Sequence, residues 1–262
     1  MRQALEECNL IAAEDTRVTL KLLNHFDIKK PLTSCHRHNE DSRAQEIVAR
    51  MLDEDITVAL TCDAGTPAIS DPGNQLVAAA WDAGITVVPI SGPSATVTAL
   101  SISGFDAREF AFYGFLPREK KALREKLDSI RNSGVPIAVM YESPHRIVKL
   151  VSEIAEVWPG KRLCVCCDLT KRYELVYRGA SHEVLAALNA NPNVEKGEYC
   201  LVAEVPEPAA SHEVEMSADL YMLARIMEGM DENEAAEAAQ EAGYPRNAAY
   251  KARLAIKRRF DL

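Results

Sequence analysis

No apolar run in this 262-residue chain approaches the roughly 20 residues that a bilayer-spanning helix needs, so no membrane span is expected. The opening Met1-Arg-Gln-Ala-Leu-Glu-Glu lacks the long apolar stretch of a secretory leader, and a cytoplasmic chain is expected. Excess positive charge is missing as well. The net charge of −9 argues against a general nucleic-acid coat. Seven cysteines, an odd number, are scattered through strand-like runs and loops, which suits reduced thiols rather than a disulfide framework. Cys164 and Cys167 form a C-x-x-C only in name, because Leu163-Cys-Val-Cys-Cys reads as strand interior. Cys35, His36 and His38 are followed by no second ligand pair at zinc spacing, so no metal is expected. No solenoid period and no low-complexity tract interrupts the chain.

Two loops stand out against these absences. Thr61 to Gly73, Thr-Cys-Asp-Ala-Gly-Thr-Pro-Ala-Ile-Ser-Asp-Pro-Gly, follows the apolar run Ile56 to Leu60 and precedes the amphipathic segment Asn74 to Ala83. A strand that ends in a Gly/Pro/Asp-rich loop and re-enters as a helix is half of a βαβ unit. In such sheets ligands sit at the carboxyl ends of the strands. A helix cap at Asp71 would account for one of these residues, not for the group. The second loop, Ile90-Ser-Gly-Pro-Ser-Ala95, follows the strand-like Ile85 to Ile90 and opens into a small-residue helix, Thr96 to Ile102. Amide groups at such a helix start can hold a carboxylate or a phosphate. Neither Gly-x-Gly-x-x-Gly nor a closing Gly-Lys-Ser/Thr is present there, which removes the dinucleotide and P-loop fingerprints.

In chain order, Asn9 to Ala13 reads as a strand ending in Glu14-Asp-Thr-Arg, with Asp15 or Thr16 capping a helix from Arg17 to Phe26. Pro31 to Cys35 leads into His36-Arg-His-Asn-Glu and a helix from Ser42 to Asp53. The alternation implies a parallel sheet. After a pause at Gly104 to Arg108, the pattern gives strands at Val135 to Tyr141, Arg162 to Cys167, Tyr173 to Tyr177 and Glu198 to Val205. Helices are expected at Glu119 to Arg131, Ile147 to Val157 and Glu183 to Asn189. This half is more hairpin-like, so a mixed sheet is expected. Pro206 to Ser211 reads as a linker to three helices, Ala218 to Met227, Glu234 to Ala242 and Arg246 to Phe260. The fold class is therefore α/β: two α/β domains with a cleft between them, over 1–105 and 106–207, and a small helical C-terminal domain over 212–262. Junctions of this kind favour ligand pockets. Polar groups at strand ends would face the cleft from both sides: Glu14, Asp15, Arg17, Asp63 and Thr66 from one, Glu142, His145, Arg146 and Lys171 from the other. From Arg246 to Arg259 the chain carries Lys251, Arg253, Lys257 and Arg258 without an acid, beside an acidic stretch over Glu228 to Glu241. Such a pair reads equally as two solvated faces or as a phosphate contact.

These motifs resemble a known family. Ala13-Glu-Asp-Thr-Arg, His36-Arg-His-Asn-Glu, Asp63-Ala-Gly-Thr-Pro with Asp71-Pro-Gly, Gly92-Pro-Ser-Ala, Gly114-Phe-Leu-Pro, Tyr141-Glu-Ser-Pro-His-Arg, Leu169-Thr-Lys and Lys196-Gly-Glu are similar to those of the ribosomal RNA small subunit methyltransferase I family, in the tetrapyrrole-methylase fold group. The resemblance runs from about Arg2 to the end. It implies S-adenosyl-methionine as cofactor and 2′-O-methylation of a cytidine ribose in the decoding region of 16S rRNA, within the small ribosomal subunit. It also implies a homodimer, with the cofactor folded into the interdomain cleft. The family's opening strand and Pro-Ile-Gly-Asn-Leu loop would precede Arg2, so a gap in the first sheet is expected. A tetrapyrrole methylase of the same fold and a non-catalytic RNA-binding remnant are the alternatives.

The resemblance places Thr66, Pro67, Ser94, Ala95, Met140, Tyr141 and Leu201 around the cofactor. Transfer to a ribose hydroxyl needs alignment and deprotonation. Glu14, Asp15, Asp63, Glu142, His145 and Lys171 all qualify as the base by chemistry, with Glu142 and Asp63 first; the catalytic set is Asp63, Glu142, Lys171 and Glu14. RNA contacts are expected from Arg17, His36, His38, Arg146, Arg246, Lys251, Arg258 and Arg259.

Overall fold

A computed structural model describes residues 1–208 and 217–260. The expected linker runs into 209–216, outside the described residues. Contacts divide the chain into two compact units, 1–130 with 135–206, and 131–134 with 207–262.

In chain order the first unit contains α1 (Arg2–Glu7), β1 (Leu10–Ala13), α2 (Thr16–His25), β2 (Leu32–Ser34), α3 (Glu40–Glu54), β3 (Val58–Thr61), α4 (Asn74–Asp82) and α5 (Ala95–Ser103). It continues with β4 (Ala111–Phe115), α6 (Lys120–Asn132), β5 (Ile137–Glu142), α7 (Ile147–Val157), β6 (Arg162–Cys167), β7 (Leu175–Ala180), α8 (Ser181–Ala190) and β8 (Tyr199–Glu204). The last residues of α6 are counted with the second unit.

The first sheet has the order β2-β1-β3 and is parallel throughout. Central β1 is buried along its length, whereas β3 is half-exposed, as an edge strand should be. The helix after β1 starts where expected, because the Asp15 carboxylate accepts from the Arg17 amide at 2.8 Å. The loop after β3 is held in place by α3. Glu40, buried at the start of α3, accepts from the amides of Gly73 (2.7 Å) and Gln75 (2.8 Å), so its carboxylate caps α4. Arg37 adds a bond to the Ser70 carbonyl at 3.0 Å. Gly73 is required: its φ is +131°, and a Cβ there would stand 2.6 Å from Leu60 Cδ2.

One expectation fails. Ile85 to Ile90 was expected to be a strand, yet among the described residues it pairs with none. Its side chains still alternate: Ile85 and Val87 pack on the α3–α4 core, while Val88 and Ile90 stand out at 69% and 48% exposure. A strand requires a ladder partner, and Pro89 supplies no donor. Composition alone predicted the propensity, not the neighbour. The strand expected from Tyr173 also begins later, at Leu175.

The second sheet has the order β4-β5-β8-β6-β7, with β4 and β5 parallel and the other pairs antiparallel. Both faces are covered, which is why its central strands read as continuous apolar runs. On one face α6, α7 and α8 bury Leu127, Ile154, Trp158 and Leu188 against Met140, Val165 and Leu201. On the other, α5 lays Ala99 and Leu100 over Val139, Cys166, Cys200 and Val202. Arg178 of β7 donates to the Ser103 carbonyl at the end of α5, a cation placed at a helix C-terminus. The thiols are free and, Cys62 apart, buried.

The second unit contains α9 (Ala218–Met227), α10 (Glu232–Glu241) and α11 (Arg246–Phe260) around Met222, Ala235, Ala239 and Ala249. A capping box starts α10: Asp231 accepts from the Glu234 amide at 2.9 Å, and Glu234 accepts from the Asp231 amide at 3.0 Å. Part of the basic face is turned back on α10, since Arg253 bonds Asn233 (2.6 Å) and Lys257 pairs with Glu232 (2.9 Å). Arg246 and Lys251 are exposed. The side chains of Arg258 and Arg259 lie outside the described residues. No described helix is long and apolar enough to cross a membrane.

Leu127→Ala, at a position with 0% exposure, should cost about 2–5 kcal/mol in urea unfolding. Val88→Ala, on the unpaired run, should stay within about 0.5 kcal/mol. A Val88 cost matching that of Leu127 would mean the run is packed as an internal strand.

Candidate functional site

The loops at the carboxyl ends of β1 and β3, the start of α5 and the tips of the second sheet enclose a cleft of about 810 Å³. Pockets for one small molecule run about 300–1,000 Å³, so a bulky ligand or two adjoining ones fit.

The first wall is acidic. Glu14, Asp63 and Asp71 all line it. The Glu14 carboxylate accepts from the Asp63 amide at 3.2 Å, which joins the tips of β1 and β3. Burial raises the Glu14 carboxyl above the ordinary range, and the charges of Asp71 and Asp63 add to the effect. Asp71 is raised for the same first reason. Between them, burial and the two carboxylates push the Cys62 thiol up to about 12, so it is not a nucleophile at neutral pH. The two loops are stitched together by Thr66, whose hydroxyl donates to the Pro93 carbonyl at 3.1 Å. Ser94 caps α5, its hydroxyl oxygen accepting from the Val97 amide at 3.4 Å.

The second wall is aromatic, with Phe110, Phe112, Phe115 and Tyr141 in the lining. The Tyr141 and Thr96 hydroxyls are hydrogen-bonded at 3.0 Å, and burial raises the phenol. Glu142 sits beside them, 2% exposed. Its Oε1 accepts from the Ser143 amide at 2.7 Å, while Oε2 lies 3.1 Å from an Arg146 nitrogen without the alignment of a hydrogen bond. That buried oxygen is left with acceptor capacity. Arg146 also donates to the carbonyls of Leu116 and Pro117, at 3.2 and 3.1 Å.

The cleft gathers Glu14, Asp63, Thr66, Ser94, Ala95, Tyr141 and Glu142 from the residues expected in the site. Pro67 adjoins the lining without entering it. Met140 and Leu201 are fully buried in the core behind the cleft. Lys171 is clamped between Asp168 (3.2 Å) and Glu198 (2.9 Å), and its bond to Glu198 raises its pKa; the lowered pKa that a lysine base requires is absent. Asp15 is committed to Arg17, whose guanidinium holds its carboxyl well below the usual range. Arg17, His36, His38 and Arg146 stand outside the lining, and His145 is exposed 3.9 Å from Glu195. Sequence reasoning missed Thr96 and the three phenylalanines. The Thr96–Tyr141 contact spans 45 positions, which no local pattern reports.

A parallel sheet and a mixed sheet meeting over such a cleft define a methylase of the tetrapyrrole class, and comparison with known proteins agrees. The chain belongs to the tetrapyrrole (corrin/porphyrin) methylase family, whose model matches residues 1–185. Among its relatives is ribosomal RNA small subunit methyltransferase I of Halalkalibacterium halodurans, 43% identical over 202 residues, 77% of this chain and 68% of that one. The protein of the same name from Xylella fastidiosa is 37% identical over 248 residues, 94% of this chain and 89% of that one. The crystal structure of the methyltransferase CobJ superposes with a TM-score of 0.54 at 15% identity, covering 78% of this chain and 86% of that one, a likeness of fold. The chain is thus an S-adenosyl-methionine-dependent methyltransferase.

The cofactor's chemistry suits the residues present. A helix start with a serine cap suits its carboxylate, acidic groups suit its cationic end, and aromatic surface suits its adenine.

Because the folded-state carboxyls of Asp71 and Glu14 are raised, the stability they contribute is fully present below the ordinary carboxyl range, near pH 4. It is lost as pH rises through the raised values. Asp71→Asn should therefore raise Tm at pH 7.5 and leave it unchanged near pH 4. An unchanged or lower Tm at pH 7.5 would contradict the assigned cause.

Proposed function

We propose that the enzyme methylates the 2′-hydroxyl of a cytidine ribose in the decoding region of 16S rRNA, with the small ribosomal subunit as its substrate. The observation that carries the reading is the pairing of an acidic wall with an aromatic wall across one cleft, in a chain whose relatives are named for ribosomal RNA. The same reading makes the enzyme a cytoplasmic homodimer, on the strength of the sequence resemblance.

S-adenosyl-methionine supplies an activated methyl group, so the protein's tasks are alignment and proton removal. The first turn of α5, from Ser94, would hold the carboxylate of the cofactor. Thr66 keeps the two cofactor loops in register through Pro93. The Oε2 of Glu142, ion-paired with Arg146 but accepting no hydrogen bond, would accept a hydroxyl or amino proton of the bound donor. For the acceptor proton we assign Glu14, whose raised carboxyl lines the cleft with few competing partners, and Asp63 beside it as the neighbouring charge. Glu142 is less suited, being already engaged by Ser143 and Arg146. Exposed Arg246 and Lys251 would meet phosphates, an electrostatic contribution that salt weakens.

The test is transfer of labelled methyl to small ribosomal subunits from cells lacking the modification, beside a tetrapyrrole acceptor. Label on a cytidine 2′-oxygen is expected. Label on the tetrapyrrole, or no transfer by protein that binds the donor, would overturn the reading. Glu14→Gln should lower the rate by about 10²–10⁴ and change donor affinity by calorimetry far less than that. Lys251→Ala should flatten the salt dependence of subunit binding by about one unit of slope, and an unchanged slope would remove this helix from the interface.

A further inference from the structure

Successive residues of a strand point to opposite faces, so Phe112 and Phe115, three apart, would fall on opposite sides of an unbroken β4. Both line the cleft. The ladder to β5 explains how. Phe112 pairs with Val139 and Gly114 with Met140, so Tyr113 is an extra residue in β4. A bulge of this kind re-aims the side chains that follow it. Gly114 makes it possible at φ +61°, a conformation that strains any residue with a Cβ.

Phe115 is thereby brought to the cleft and left 61% exposed. Its ring meets Tyr141 edge-on at 5.9 Å, and Phe112 meets the same phenol from deeper in, at 4.8 Å. The exposed ring is not loosely held. Leu116 is buried, and Arg146 grips the Leu116 and Pro117 carbonyls. Ile69 and Phe110, 65% and 43% exposed, line the same cleft. Single exposed apolar residues are ordinary, but a set gathered at one cleft marks a surface that something covers.

We propose that Phe115 is a positioning residue whose ring stacks on the base of the acceptor nucleotide, so that the enzyme takes this nucleotide unstacked from its RNA. This rests on the rRNA reading above and names how the substrate is held. Every base offers a π-face, and recognition of RNA relies on splayed bases stacked on aromatic side chains. The outermost ring is the one that a nucleotide arriving from solvent meets first. Phe112 and Tyr141, deeper and half-buried, remain for the cofactor. With its base on Phe115, a nucleotide presents its ribose inside the cleft, where Glu14 and Asp63 form the facing wall.

The test compares the wild type with Phe115→Ala, Phe115→Trp and Gly114→Ala. Three readings are taken: methyl transfer to small subunits, donor affinity by calorimetry, and emission of pyrrolocytidine at the acceptor position of a decoding-region RNA. Phe115→Ala should raise KM for the subunit about tenfold to a hundredfold and leave donor affinity unchanged. Phe115→Trp should restore KM. Gly114→Ala, which keeps the phenylalanine but strains the bulge, should reproduce the loss. Wild-type binding should change the emission, and Phe115→Ala should not. Wild-type transfer with an unchanged KM in Phe115→Ala overturns this proposal alone, as does a loss confined to donor affinity. Absence of transfer to rRNA by the wild type overturns the reading beneath it as well.

Discussion

The acidic wall of the cleft depends on one buried carboxylate. Glu40 opens α3 and receives the amides of Gly73 and Gln75, so the long loop after β3 is anchored at the start of α4. A buried carboxylate is expensive unless it is satisfied, and here a helix N-terminus satisfies it. The same anchor limits how far Asp63, Thr66 and Asp71 can move. Thr66 then reaches Pro93, and through it the start of α5. In this way one side chain buried at the start of α3 fixes the loops that face the second sheet.

Helix α5 carries that order across. It follows the first sheet in sequence but packs on the second, covering β5, β6 and β8. Its first turn, with Ser94 and Thr96, opens on the cleft, and Thr96 is bonded to Tyr141 of the opposite wall. Polar loops of one sheet and aromatic strand tips of the other therefore meet with little freedom. Alignment is what transfer from an already activated donor demands of a protein.

Much of this was legible in the sequence. The helix cap at Asp15, the loop at the end of β3, the helix that opens after Gly92-Pro-Ser-Ala, and the continuous apolar runs of the second sheet announced their structures through local chemistry. What was not legible depended on partners. Ile85 to Ile90 has the composition of a strand and no neighbour to pair with, so it stays outside the ladder. Tyr113 is an extra residue in β4, and without that register Phe115 reads as facing away from Phe112. Lys171 qualified as a base by its chemistry, but Asp168 and Glu198 close on it and its bond to Glu198 raises its pKa. The acidity of the first wall was present in the residue list, but its raised carboxyls follow from burial, which only the fold reveals.

The central claim is that loops of both sheets close on a single donor. Hydrogen–deuterium exchange with and without S-adenosyl-homocysteine tests it most directly. Protection should appear together over residues 62–73, 91–97 and 139–143, with α9 to α11 unaffected. Protection confined to one wall, or placed elsewhere in the chain, would contradict the account.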